Sequence, residues 1–235
     1  MRWLRFFESP AVTESLSGVG MKKAENETCI VNPDIEEYIR NLTPVEDGIL
    51  KEMEELGAER GFPLVGPLVG RLLYQLAVII RAKKIFEMGS GFGYSAYWFA
   101  KSMGDRGLVV FTDLSEKNAR LAGRFFKRGN IETKIKIHIG DSINILEQAE
   151  GEYDIIFNDI DKEYYPLVVD RAYKKLKRGG LFITDNVLWH GRVLSDDRSP
   201  SAKGVKEFTR MLLSEKGFLT TIIPIRDGIS LSVKL

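Results

Sequence analysis

The chain has 235 residues, 44% of them hydrophobic, and its 34 basic and 33 acidic side chains leave a net charge of +1. That length suffices for one α/β core, and the charge balance argues against a dedicated nucleic-acid or polyacid binder while leaving room for a local basic patch. Cys29 is the only cysteine, which excludes an internal disulfide and fits a reducing compartment; no run approaches the ~20 apolar residues of a membrane span, so no membrane partner and a cytoplasmic location are expected.

Met1 to Pro10 is interrupted by Arg5 and Glu8 and makes a poor signal peptide. Residues 9–28 are polar and rich in Ser and Gly, so residues 1–31 read as a flexible lead, with Met21 as an alternative start, before a single domain over 32–235. Asn32 to Leu56 reads as helices, with Pro33 and Pro44 near two helix starts, where proline is tolerated. The rigid apolar loop Gly61-Phe62-Pro63-Leu64-Val65-Gly66-Pro67 leads into a helix over Leu68 to Ile80 that serves as core or as a dimer face. Strand and helix signals then alternate. Strands are expected at Lys84 to Met88, Leu108 to Thr112, Ile135 to Ile139, Tyr153 to Asn158 and Leu181 to Thr184. Helices are expected at Tyr94 to Met103, Ser115 to Arg128, Ser142 to Ala149, Glu163 to Leu176 and Ala202 to Glu215. Two last strands, Thr220 to Ile225 and Ile229 to Lys234, flank the hairpin signal Asp227-Gly228. The expected fold is α/β: a Rossmann-like, doubly wound, mostly parallel sheet of seven strands, helices on both faces, and a C-terminal hairpin that makes one pair antiparallel.

Ligands of such sheets bind outside the carboxyl ends of the strands, and this chain puts its chemistry there. After the first strand comes Glu87-Met88-Gly89-Ser90-Gly91-Phe92-Gly93-Tyr94-Ser95. Glycines such as Gly89 let backbone approach a ligand and expose amides at a helix start. Tyr94 occupies the sixth position of a GxGxxG pattern, which weakens an NAD reading. An acid before the turn suits S-adenosylmethionine instead, whose ammonium group welcomes a carboxylate such as Glu87 and which has no pyrophosphate. Asp113 ends the second strand and can accept both ribose hydroxyls, and Asp141-Ser142 after the third can border the adenine.

The strongest strings are Asp159-Ile160-Asp161-Lys162 and Asp185-Asn186, each closing an apolar strand. One strand-helix-strand crossover separates them, so their carboxylates can converge. Two carboxylates and an amide oxygen suit a hard divalent ion, Mg²⁺ first, with Ca²⁺ or Mn²⁺ as alternatives. Lys162 stands within reach as a proton acceptor. Taken singly, each aspartate reads as a helix N-cap and Lys162 as a solvated lysine; only the joint pattern points to metal-assisted transfer to an oxygen. Trp189 reads equally as a wall for an aromatic ring or as ordinary packing, and His190 as a loop residue.

From about Phe62 to Leu235 these strings resemble the cation-dependent class I O-methyltransferases, the group of caffeoyl-CoA and catechol O-methyltransferases. The marks are Phe86 to Gly89 with Gly93-Tyr94-Ser95, Asp113, Gly140-Asp141, Asp159 to Tyr165, Gly179-Gly180, Asp185 to Trp189, and Pro224 to Ile229. The resemblance implies Asp159, Asp185 and Asn186 as metal ligands and Lys162 as base. It implies S-adenosylmethionine contacts from Glu87, Ser95, Asp113, Asp141, Ser142 and the backbone near Val65, with Asp159 also facing the donor's amino group. It further implies a homodimer and a small hydroxylated aromatic acceptor, catechol-like or caffeoyl-like. The N-terminal part, where Gly61 to Gly70 lacks the acidic helix start of many members, departs from the family. Some bacterial members methylate a hydroxylated uridine in tRNA, so a tRNA acceptor is the second reading; Arg120, Arg124, Lys127 and Arg128 would be its basic face. An NAD-dependent oxidoreductase and a non-catalytic S-adenosylmethionine sensor are weaker rivals.

Overall fold

The computed structural model describes residues 29–235; the lead over 1–28 and the alternative start at Met21 lie outside the described residues. Asn32 caps α1 (Pro33–Leu42) by accepting from the Asp34 amide at 2.8 Å, and Pro33 takes the first helical position. Asp47 caps α2 (Gly48–Glu59) in the same way. α3 (Gly66–Ile79) starts without a side-chain cap. Leu68, Val69, Leu73 and Ala77 of α3 are buried within this chain, so its apolar run is largely core, while Val78 and Ile79 stay exposed.

The alternating half follows as β1 (Lys84–Met88), α4 (Tyr94–Ser102), β2 (Leu108–Asp113), α5 (Glu116–Arg128), β3 (Ile135–Ile139), α6 (Ser142–Gln148), β4 (Tyr153–Asn158), α7 (Val169–Lys175) and β5 (Leu176–Thr184). Then come α8 (Pro200–Ser214), β6 (Phe218–Ile223) and β7 (Ile229–Lys234). The expected helix over Glu163 to Leu176 is divided: Lys162–Val168 winds as a tighter 3₁₀ segment containing Pro166, whose missing N–H breaks the α ladder. Leu176 opens β5 instead, pairing with Tyr153 ahead of an irregularity in the β4–β5 register.

The seven strands run in the order β3-β2-β1-β4-β5-β7-β6, with β1 to β5 parallel. The C-terminal hairpin corrects one expectation. β7 inserts between β5 and β6 and runs antiparallel to both, so two pairs are antiparallel rather than one. Its loop is also wider than expected, because β6 ends at Ile223 and not at Ile225, with pairing closing at Ile223 and Ile229. Successive side chains of the central strands point to opposite faces of the sheet, and both sets are buried. Ile85, Phe111, Phe157 and Ile183 pack with Met53, Leu73, Phe99 and Phe126 of α2 to α5. Phe86, Val110, Ile156 and Phe182 pack with Leu146, Val169 and Phe208 of α6 to α8. Both faces are thus covered. No helix among the described residues is long and apolar enough to cross a membrane.

This topology decides where the chemistry gathers. Strand order reverses between β1 and β4, the switch point at which such sheets open a crevice. Because β6 runs in the direction of β5, the β6–β7 loop emerges at the same edge as the tips of β1 to β5.

Candidate active site

The glycine turn presses the tip of β1 against that of β4. Gly89, Gly91 and Gly93 all have positive φ, at 76°, 53° and 90°. A Cβ at Gly89 would stand 2.5 Å from the Asp159 carbonyl oxygen, and one at Gly91 would stand 2.9 Å from the Phe62 ring. Larger residues are therefore shut out by both conformation and space.

Below the turn lies Glu87, fully buried, with Ser95 donating its hydroxyl to the Glu87 carboxylate. Burial pushes its carboxyl up to about 7, against the pull of Ser95. Its second oxygen is buried without a partner. The Thr112 hydroxyl lies between the Glu87 carbonyl (2.6 Å) and Ser142 Oγ (2.8 Å), tying β1, β2 and the start of α6 together. Asp113 accepts from the Gly91 amide through one oxygen and from the Ser115 amide through the other, both at 2.8 Å. Asp141 caps α6, accepting from the Asn144 amide at 2.7 Å.

Asp159 follows β4. Lys162, the first residue of the 3₁₀ segment, reaches back across the short loop to place Nζ 3.0 Å from Asp159 Oδ1, and the amine stands 5.7 Å from the centre of the Trp189 ring. Asp185 follows β5 and is buried; its carboxylate accepts from the Asn186 amide at 2.8 Å. Burial, reinforced by the negative charge of Asp159, pushes the Asp185 carboxyl up to about 7. Tyr165 donates its hydroxyl to the Asp185 carbonyl at 2.9 Å and pins this strand tip. Asn186 adopts φ 57°, a left-handed conformation that asparagine tolerates.

These groups line one cavity of about 940 Å³. Of the residues singled out from sequence, Val65, Gly89, Ser95, Asp113, Asp141, Ser142, Asp159, Lys162, Asp185 and Asn186 all face it. Glu87 does not; it sits beneath the floor and reaches the cavity through Ser95. Trp189 and His190 line it, as do Cys29, Ile30 and Val31 from the stretch read as a loose lead. Two residues of the β6–β7 loop also line it without having been read as functional. Asp227 accepts from Asn186 Nδ2 at 3.3 Å and from the His190 amide, and Arg226 donates Nη1 to the Leu64 carbonyl at 2.5 Å. The sequence signalled them as an Asp-Gly turn and as part of the Pro224 to Ile229 string of the resemblance, neither of which gave either side chain a role.

Among the described residues, no three His, Cys, Asp or Glu side chains cluster as a metal site. The groups that could hold a cation here are two carboxylates and one carboxamide. Asp159, Asp185 and Asn186 line the same cavity, and hydrogen bonding of Asn186 Nδ2 to Asp227 leaves the amide oxygen for another partner. All three donors are hard oxygens, a chemistry that fits Mg²⁺ or Ca²⁺.

Residues 41–235 match the model of the O-methyltransferase family. The chain belongs to that family. It is 30% identical over 211 residues to a catechol O-methyltransferase of Niastella koreensis, covering 85% of this chain and 96% of that protein. It is 29% identical to caffeoyl-CoA O-methyltransferase 2 of Populus trichocarpa, covering 80% and 82%. Among solved structures, an O-methyltransferase of Bacillus cereus in complex with SAH superposes with a TM-score of 0.79 at 27% identity, covering 86% of this chain and 97% of that one. The expectation of an S-adenosylmethionine-dependent O-methyltransferase is met at the level of the family.

Proposed function

We propose that this O-methyltransferase moves a methyl group from S-adenosylmethionine to one hydroxyl of a small vicinal diol, catechol-like or caffeoyl-like, with Mg²⁺ as the first candidate ion at Asp159, Asp185 and Asn186. The observation that carries the reading is the placement of Lys162 Nζ, 3.0 Å from Asp159 Oδ1, in the same cavity as Asp185 and the glycine turn. The SAH bound by the Bacillus cereus relative supports the donor, and the catechol and caffeoyl-CoA names of the relatives support the acceptor class.

When bound, the donor supplies a methyl group already activated by its sulfonium charge, and a divalent ion at the three oxygens would make a neighbouring hydroxyl more acidic. The protein's own residues do the rest. Gly89 and Gly91 admit the donor to the backbone, Asp113 keeps both carboxylate oxygens in place for the ribose, and Asp141 and Ser142 border the adenine. Lys162, in its uncharged form, takes the acceptor's hydroxyl proton at Nζ. Trp189 forms one wall for the aromatic ring, and the cavity sets donor and acceptor in line, which contributes much of the acceleration.

A tRNA acceptor is less well supported. Of the four cations that would face it, Arg120 pairs with Glu116 at 3.1 Å and Arg128 with Glu52 at 2.6 Å. The deciding experiment offers labelled S-adenosylmethionine with catechol, a caffeoyl thioester or unmodified tRNA, each with Mg²⁺ or with EDTA. Methylation of a diol that stops in EDTA is expected. Equal turnover in EDTA overturns the metal assignment, and labelling of tRNA alone overturns the acceptor.

A further inference from the structure

The β6–β7 loop sends two side chains into the cavity, and one of them, Asp227, is bound to Asn186. Arg226 is the other. Its backbone sits at φ 49°, a left-handed conformation that a non-glycine residue adopts uncommonly. Such strain persists where surrounding contacts over-determine it, and those contacts are visible. Arg226 Nη1 donates to the Leu64 carbonyl at 2.5 Å. A Cβ at Gly66 would lie 2.9 Å from that nitrogen and 3.3 Å from Cζ, so the absence of a side chain at Gly66 makes room for the guanidinium. The group is held in place on the cavity wall, half-buried.

What it lacks is an acid. The ion pairs of this edge are Lys162 with Asp159, His190 with Asp227, and Arg192 with Asp197; among the described residues Arg226 joins none. A guanidinium carries five N–H donors, and the Leu64 carbonyl is the one acceptor it meets through a hydrogen bond among the described residues. Arg226 lines the same cavity as Asp159, Lys162 and Asp185, which puts it at the reacting corner. The neighbouring start of α3 has no side-chain cap, so the electrostatics there also favour an anion.

We propose that Arg226 is a carboxylate-binding residue of this site, receiving either the amino-acid carboxylate of the methyl donor or an acidic group on the acceptor. A planar guanidinium held by one nitrogen still presents a fork that matches a carboxylate. The acceptor half of the proposal rests on the diol reading above; the donor half does not.

Two matched ligand pairs test it in wild-type, Arg226→Gln and Arg226→Lys proteins, by calorimetry with Mg²⁺ present. The first pair is S-adenosylmethionine and its decarboxylated form. The second is 3,4-dihydroxybenzoate and its methyl ester, each added to the SAH complex. If the donor carboxylate is the ligand, Arg226→Gln weakens S-adenosylmethionine roughly 10- to 100-fold and leaves the decarboxylated form unchanged. If the acceptor carries the acid, the same loss falls on 3,4-dihydroxybenzoate and spares the ester. Arg226→Lys, which keeps the charge but not the fork, should lose less in the affected pair, and it serves alone should the Gln variant not fold. Equal losses within both pairs make Arg226 a brace for the Leu64 loop and overturn the proposal, as does no loss in either. Failure of the wild-type protein to methylate any diol overturns the acceptor reading alone, because the donor pair is read by binding.

Discussion

Asn186 Nδ2 lies 3.3 Å from Asp227 Oδ2, joining a loop after β5 to the loop between β6 and β7. The contact decides which end of the amide is free: with nitrogen committed to Asp227, the oxygen is the end left for the proposed ion. Asp227 also accepts from the His190 backbone and so fixes the turn in which Trp189 and His190 have φ 46° and 51°. Residues that orient a metal ligand typically matter 10- to 100-fold in metal affinity. Asp227→Ala is therefore expected to raise the Mg²⁺ concentration needed for half-maximal turnover by about that factor while leaving SAH affinity alone. Unchanged Mg²⁺ dependence would show that Asn186 needs no such support.

Lys162 is held between Asp159 and two rings, 5.5 Å from the centre of Tyr165 and 5.7 Å from that of Trp189. As the proposed general base, Lys162 would contribute roughly 10²–10⁴-fold. Lys162→Met should lose that much in kcat with SAH affinity retained. Lys162→Arg keeps a positive charge beside Asp159 but has no accessible neutral form, so it should be as slow as the Met variant. Substantial activity in the Arg variant would make Lys162 an electrostatic partner of Asp159 and not the base.

The acids at the tips of β2, β4 and β5 were legible in the sequence because each closes a run of apolar, buried residues; at the edge strand β3 the alternation marked a strand, yet Ile137 and Ile139 are exposed. The position of β7 was not. Pairing of Leu181 with Val233 is a long-range choice that local patterning does not encode. Asp227 was hidden for the same reason: as part of Asp227-Gly228 it read as a turn, and only the insertion of β7 beside β5 carries it to Asn186. The break between Lys162–Val168 and α7 is encoded locally, in the missing N–H of Pro166. Glu87 was legible as an acid before a glycine turn, but its depth depends on how α4 packs Ser95 over it.

Gly89 is where the donor turn and the β4 tip share space. Alanine there would place Cβ 2.5 Å from the Asp159 carbonyl oxygen at a backbone φ of 76°. The conformation alone costs on the order of 1–3 kcal/mol, and relief of the clash must move backbone that carries a proposed metal ligand. Gly89→Ala should lower the unfolding free energy by at least about 2 kcal/mol and weaken SAH binding. Gly104→Ala is the control, since nothing lies within 4 Å of a Cβ there. Urea unfolding of both variants measures the difference; equal stability would mean the turn yields without strain.

Glu87 makes the stability of the metal-free, donor-free protein depend on pH. Its carboxyl is raised from an ordinary 4.5 to about 7, chiefly by burial. The folded state therefore holds this proton more tightly than the unfolded chain does. The stabilisation is fully present below about pH 4.5 and is lost as pH rises through about 7. At 1.36 kcal/mol per unit, the loss is on the order of 3 kcal/mol. Glu87→Gln removes the titration while keeping the shape and an acceptor for the Ser95 hydroxyl. In EDTA, the stability of the variant relative to wild type should rise between pH 4.5 and 7 and level off above. Asp185, raised to about 7 by burial and by Asp159, imposes a slope of the same sign on both proteins, so the difference between them isolates Glu87. Chemical unfolding across this range reads that difference directly, and a constant offset would mean that the carboxylate stays ionised beneath Ser95 throughout.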